Sequence, residues 1–326
     1  MLMTAALAAI FLLNVGLGSA DIDIKTITDI ILGKTASNDT FTLIIKKVRL
    51  PRAYATILGG AAISVSGLLL QTFFMNPIVE PYILGVTSGS SLFIALVFLG
   101  GFTMGLPYIT PAMLFAGAFA GAMLVMCFIM FAARKTKSIL TLLIIGMMAG
   151  YICSAGTSIL SAFAEREAIA NFSMWTMGSF AGFTIENVKV LFIIVVPFLF
   201  FSFLLSKQLN ALCMGDRYAE SMGVNVKGIR YLIILISSVL TAAVTAFAGP
   251  VSFIGLAVPH ICRIIFYTSD TKILIPASVI GGGLMLGLCD LVARNIMSPV
   301  ELPLGAITSV IGAPVVVYLL ASRSEK

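Results

Sequence analysis

Charge is scarce in this chain. Only 10% of its 326 residues are Asp, Glu, Lys or Arg, against about a quarter in a soluble domain. With 60% hydrophobic residues and a mean hydropathy of +1.10, a soluble globular fold is excluded. Histidine and tryptophan occur once each, as His260 and Trp175. A lone histidine cannot build a metal site, and HExxH and His/Cys clusters are absent. Cys127, Cys153, Cys213, Cys262 and Cys289 include no CxxC pair, so neither a disulfide framework nor a zinc site is readable. No Ser-His-Asp set, Cys-His pair or paired carboxylates on one face point to an enzyme active site, and no cofactor or metal is expected. Gly33-Lys34-Thr35 looks like the end of a phosphate loop, but Thr28 stands where that loop needs glycine, and no other Gly-Lys-Ser/Thr occurs. The chain is therefore not expected to bind ATP by itself. The net charge of +6 is spread over loops without a basic and aromatic patch, which reads as membrane topology and anionic lipid, with no nucleic acid.

What is present is a series of long apolar runs. At about 20 residues per span the length admits eight to ten crossings. Unbroken rather than alternating runs make these helices, not barrel strands. Met1–Ala20 ends in Gly-Ser-Ala like a signal peptide, yet lacks a basic leader, so it reads as the first span. Further spans read as 54–74, 83–100, 111–133, 139–162, 187–206, 231–248, 252–267, 273–291 and 305–322. The expectation is an all-α polytopic membrane protein of about ten transmembrane helices, one transmembrane domain over 1–326 in a cytoplasmic (inner) membrane. Gly117/Gly121, Gly146/Gly150, Gly178/Gly182 and Gly283/Gly287 recur four apart, a spacing that lets helices approach closely. Trp175 reads as an interface anchor.

With both termini inside, the inner segments hold eleven of the 20 basic residues and the outer ones nine, six of them in 21–52. Setting that one loop aside leaves eleven against three, which fixes an N-in, C-in topology and leaves the cationic outer loop in need of an acidic partner.

The longest polar interruption in the C-terminal two-thirds is Lys207–Arg230. Gly215 and Gly223 bracket about two helical turns, with Asp216 placed to cap the first. Met214, Tyr218 and Met222 fall four apart on one face, while Asp216, Arg217 and Glu220 lie off it. Such a helix is either a solvated loop that coils or an apolar edge that docks into a partner. Asn76–Pro81 reads as a stiff inner turn whose one acid is Glu80, and Glu301 sits in another proline-bounded turn. Asp290 and Arg294 have the spacing of an intrahelical ion pair.

Taken together, several stretches resemble the FecCD type of permease, the membrane subunit of ABC importers for iron–siderophore, haem and cobalamin. They are Arg49-Leu50-Pro51-Arg52; Gly59-Gly60-Ala61-Ala62 with Ser66-Gly67 and Gln71; Asn76-Pro77 with Glu80-Pro81; Leu84-Gly85-Val86 with Ser88-Gly89; Gly215-Asp216 with Met222-Gly223-Val224; Gly249-Pro250 with Phe253-Ile254-Gly255-Leu256, Pro259-His260-Ile261 and Arg263; Asp290-Leu291 with Arg294; and Glu301-Leu302-Pro303 with Gly305 and Gly312-Ala313-Pro314. The resemblance implies the type II ABC importer permease fold and a homodimer with a substrate path on its two-fold axis. It further implies two separate ATPase subunits docked from the cytoplasm and a binding protein delivering ligand from outside. It makes Gly215, Asp216, Arg217, Tyr218, Glu220, Met222 and Gly223 the ATPase-coupling region, and Arg49, Arg52 and Arg294 the arginines that meet carboxylates of the binding protein. The inner gate would fall at about Lys137–Thr141, where Ile139 and Leu140 are apolar. Ferric siderophore is the favoured cargo, with haem, cobalamin and molybdate as alternatives. A different class, an ion-coupled secondary transporter, would need acids or histidines in mid-span, and only Asp290 comes near that.

Overall fold

The computed structural model describes residues 2–18, 20, 22–31, 39–100, 110–136 and 138–321. All regular structure among them is helical. Six helices are long and apolar enough to cross a bilayer, and four shorter apolar ones accompany them. That agrees with the ten segments read from hydropathy. The Gly-Lys-Thr stretch and Lys137 of the expected gate fall outside the described residues.

The helices, in order, are α1 (Leu2–Gly16), α2 (Ile24–Ile31), α3 (Asp39–Leu43), α4 (Leu50–Phe74), α5 (Val86–Ala95), α6 (Pro111–Lys135), α7 (Ile139–Ala162), α8 (Arg166–Thr176), α9 (Ile185–Leu204), α10 (Ser206–Cys213), α11 (Asp216–Ser221), α12 (Val226–Ala248), α13 (Ile254–Phe266), α14 (Thr271–Asn295) and α15 (Leu304–Ala321). A π-helical turn, Ile44–Arg49, joins α3 to α4, so helix runs unbroken from Asp39 to Phe74. The polar loop expected up to Arg52 is therefore largely helical. Hydropathy hides this because the stretch is basic; Lys46 and Lys47 lie at the surface, whereas Arg52 is neutralised by Asp290 and Glu301 from far along the chain.

Helix α4 is the axis of the bundle, with nearly all its residues buried. It packs along α14, α12 and α13. Glycine decides how closely. A Cβ on Gly60 would strike the Gly282 carbonyl, and one on Gly67 the Gly255 carbonyl, so these backbones touch as small residues permit in lipid. The pairs singled out four apart are partly different. Gly121 lies against Gly89, and Gly150 against Gly85. Gly178 and Gly182 belong to a turn, not a helix face, and both have positive φ (72° and 79°). Helices α7 and α9 lie at the periphery and leave large apolar side chains uncovered, among them Ile152, Ile159, Phe192 and Ile193.

One of the shorter apolar helices starts inside the bundle. Helix α13, 13 residues long, rises about 20 Å, less than a hydrocarbon core of about 30 Å. It begins inside the bundle: Gly255 sits against Ile63, Gly67 and Pro81, beside the middle of α4. The segment after α4 folds back to the same depth. Glu80 is therefore no open inner turn. It is buried, 7% exposed, and its carboxylate accepts the Phe253 N–H at 3.0 Å, at the start of α13. Phe253 itself is left-handed (φ 66°). Trp175 is half-buried, packed on the small cluster around Ala168 and Ala246.

Candidate functional site

The polar side chains gather at opposite ends of the bundle. One end carries α10 and α11. Helix α10 is tied to the start of α14: Asn210 Nδ2 donates to Asp270 Oδ1 at 2.6 Å, the Thr271 N–H donates to Asn210 Oδ1 at 2.9 Å, and Thr271 Oγ1 donates to the Ser206 carbonyl at 2.7 Å. The Asn210 amide and the Lys272 N–H hold the Asp270 carboxyl below its ordinary range. Helix α11 sits between two glycines with positive φ, Gly215 at 105° and Gly223 at 81°, a conformation that side-chain-bearing residues avoid. They break the chain on either side of six helical residues.

Asp216 does not cap that helix. The N-cap is Gly215, without a side-chain bond, and the Asp216 carboxylate instead receives Arg230 Nη2 of α12 at 2.5 Å. The Arg230 guanidinium lies over the Phe73 ring at 5.8 Å. Ala219 is fully buried and anchors α11 inward. Opposite it, Met214, Tyr218 and Met222 are 68%, 44% and 64% exposed, and Arg217 and Glu220 are also at the surface. The apolar edge expected from the spacing is thus real and uncovered in this chain. On the same end, Gln71 bridges helices: Nε2 donates to the Gly255 carbonyl at 3.1 Å, and Oε1 accepts from Arg263 Nη1 at 2.7 Å.

The other end holds the three arginines of the basic outer region, and all are buried. Arg52 is shared by two carboxylates. Its Nε contacts Asp290 Oδ2 at 3.0 Å and its Nη2 contacts Asp290 Oδ1 at 2.9 Å, while Nη1 and Nη2 reach Glu301 at 2.7 and 3.1 Å. Arg49 donates to the carbonyls of Val15, Gly16 and Ala20. Arg294 donates to the carbonyl and Oδ1 of Asn14, whose Nδ2 donates to the Gly287 carbonyl at 3.0 Å. The ion pair read between Asp290 and Arg294 is replaced by one between Asp290 and Arg52, 238 residues apart. Burial explains the exchange. A bidentate guanidinium–carboxylate contact compensates desolvation better than an end-on pair along one helix. Sequence reasoning missed Asn14 and the shared role of Glu301, because nothing local marks either.

Six helices of bilayer length, packed around a buried polar cluster, define a polytopic membrane protein. The model of the FecCD transport family matches residues 6–322, and the chain belongs to that family. It is similar to the hemin transport system permease protein HmuU of Yersinia pestis, 31% identical over 97% of this chain and 95% of the relative. It is also similar to the vitamin B12 import system permease protein BtuC of Yersinia enterocolitica, 34% identical over 87% and 83%. The Fe(3+)-citrate import system permease protein YfmE of Bacillus subtilis is 32% identical over 100% and 95%. A solved metal-chelate type ABC transporter in an inward-facing conformation superposes with a TM-score of 0.87 at 28% identity, over 98% of this chain and 97% of that one. The chain is accordingly a polytopic inner-membrane permease of the ABC import type.

Proposed function

We propose that this chain, paired with a second copy of itself, forms the translocation path of an importer for a ferric siderophore, powered by two separate ATPase subunits and supplied by an extracytoplasmic binding protein. The relatives' names keep haem, cobalamin and iron citrate as neighbouring cargoes, and molybdate stays an alternative. The observation that carries the coupling is α11: a short helix, fenced by two positive-φ glycines and braced by Asp216–Arg230, holding Met214, Tyr218 and Met222 away from the bundle. Exposed large apolar groups on a rigid support are what a partner surface needs. Closure of the ATPases would push on Gly215–Gly223 and tilt the attached spans by alternating access. In support of a path on a two-fold axis, α7 exposes Tyr151, Ser154 and Ser158 along with its apolar residues, and hydroxyls facing outward from a span suit a water-lined path better than lipid.

Arg49, Arg52 and Arg294 are read as the docking arginines for the binding protein. Their present contacts are internal, so docking would work by exchange at the exposed edge of the cluster. Glu301, with a side chain 42% exposed, is the carboxylate that a partner carboxylate would displace from Arg52.

The test is ATP-driven uptake of a ferric siderophore by the complete complex in vesicles. Tyr218→Ala with Met222→Ala should abolish uptake while the permease still assembles in the membrane. Full uptake by that variant would overturn the coupling assignment. Uptake of haem or cobalamin with no uptake of any ferric siderophore would overturn the cargo.

A further inference from the structure

Beside the coupling helix, bordering the stretch where the inner gate is expected, lies a cleft of about 300 Å³. It opens between the end of α6, the start of α7, the start of α12 and the last turn of α4. Its lining includes Arg134, Lys227 and Arg230, with Thr136, Ser138 and Tyr231 adding hydroxyls and no Asp or Glu among the lining residues. Two helices begin there. Ser138 caps α7, accepting the Thr141 N–H, and Asn225 caps α12, accepting the Gly228 N–H. The positive ends of two long helix dipoles thus add to three cationic side chains. The size lies at the small end of ligand sites.

We infer that this cleft binds a phosphate group carried by an anionic lipid headgroup or supplied as free phosphate. Basic pockets between transmembrane helices on the cytoplasmic side have the chemistry for such headgroups. The inner leaflet is also where the count of basic residues puts this end. Arg230 links the site to the rest of the molecule. One edge of its guanidinium holds Asp216 of α11 and its plane rests on Phe73. Its further donors are available to a phosphate without breaking either contact. An occupied cleft fixes Arg230 and so stiffens the brace under the coupling helix. This last step rests on the coupling reading given above; the binding step does not.

The experiment uses the permease with its ATPase subunits in nanodiscs of phosphatidylcholine, with or without phosphatidylglycerol. Retained phosphatidylglycerol is read by native mass spectrometry and ATP hydrolysis is read in parallel. The wild type should retain phosphatidylglycerol. Arg134→Gln with Lys227→Gln should weaken retention about fivefold per charge removed, and Arg134→Lys with Lys227→Arg should restore it. Inorganic phosphate that displaces the lipid, and reproduces its effect on hydrolysis in pure phosphatidylcholine, would assign the site to free phosphate. Equal retention by wild type and the double glutamine variant, with no effect of phosphate, would overturn the site. Normal retention with hydrolysis indifferent to lipid would overturn only the link to α11.

Discussion

The two polar ends of the bundle are opposites. At the end that holds Arg52, charge is abundant and turned inward. Arg52, Asp290 and Arg294 are 6%, 1% and 8% exposed, and Arg52 is shared between two carboxylates. At the other end Arg217 and Glu220 share the surface with the exposed apolar side chains of Met214, Tyr218 and Met222. A buried ion cluster binds its own chain together, whereas exposed methionine and tyrosine side chains have a use only in contact with something else. The same comparison separates a clasp, whose loss should be felt as stability, from a mating face, whose loss should be felt as coupling.

The sharpest way to break the comparison is at Asp290. Asp290→Ala leaves Arg52 buried beside one exposed carboxylate and should cost about 3–5 kcal/mol, visible as a large drop in the detergent melting temperature or as failure to accumulate. A melt within error of wild type would show that the cluster is not a clasp. Next comes Tyr218→Ala with Met222→Ala. Binding of the ATPase subunits should weaken at least tenfold, about 1.4 kcal/mol or more, while the isolated permease melts within about 0.5 kcal/mol of wild type. Unchanged affinity would make α11 an ordinary surface helix. Asp216→Asn should have a smaller effect, about 0.5–1 kcal/mol of local stability, read as faster amide exchange in α11 with no change at α4. The smallest stability effect is expected for Glu301→Gln, about 0–1 kcal/mol because the residue is exposed. Yet binding-protein affinity should rise, since a competitor for Arg52 is removed. Weaker docking in that variant would mean Glu301 supports the docking face rather than blocking it.

Much of the fold is legible in composition, because lipid imposes long apolar runs and allows few alternatives. The apolar edge of α11 is also legible, since Met214, Tyr218 and Met222 report their shared face through spacing alone. What escapes is whatever depends on distant partners. Arg49 and Arg52 look like loop cations until Asp290, Glu301 and the carbonyls of Val15, Gly16 and Ala20 come beside them. Asp216 looks like a cap until Arg230, 14 residues on, takes its carboxylate. Glu80 looks like a turn acid because no feature near it says that Phe253 waits 173 residues later.

Helix α13 has a consequence for how the protein is made. A segment of 13 residues is too brief to be stitched across a bilayer as it leaves the ribosome. It can settle only once Glu80 and the bend after α4 are in place to receive its first turn. Biogenesis of this chain should therefore have a late step, in which the piece from 249 to 266 slides into a bundle already standing. Removing the receiving carboxylate, as in Glu80→Ala, should leave that piece accessible to water-soluble thiol reagents at Cys262, which the full-length fold buries.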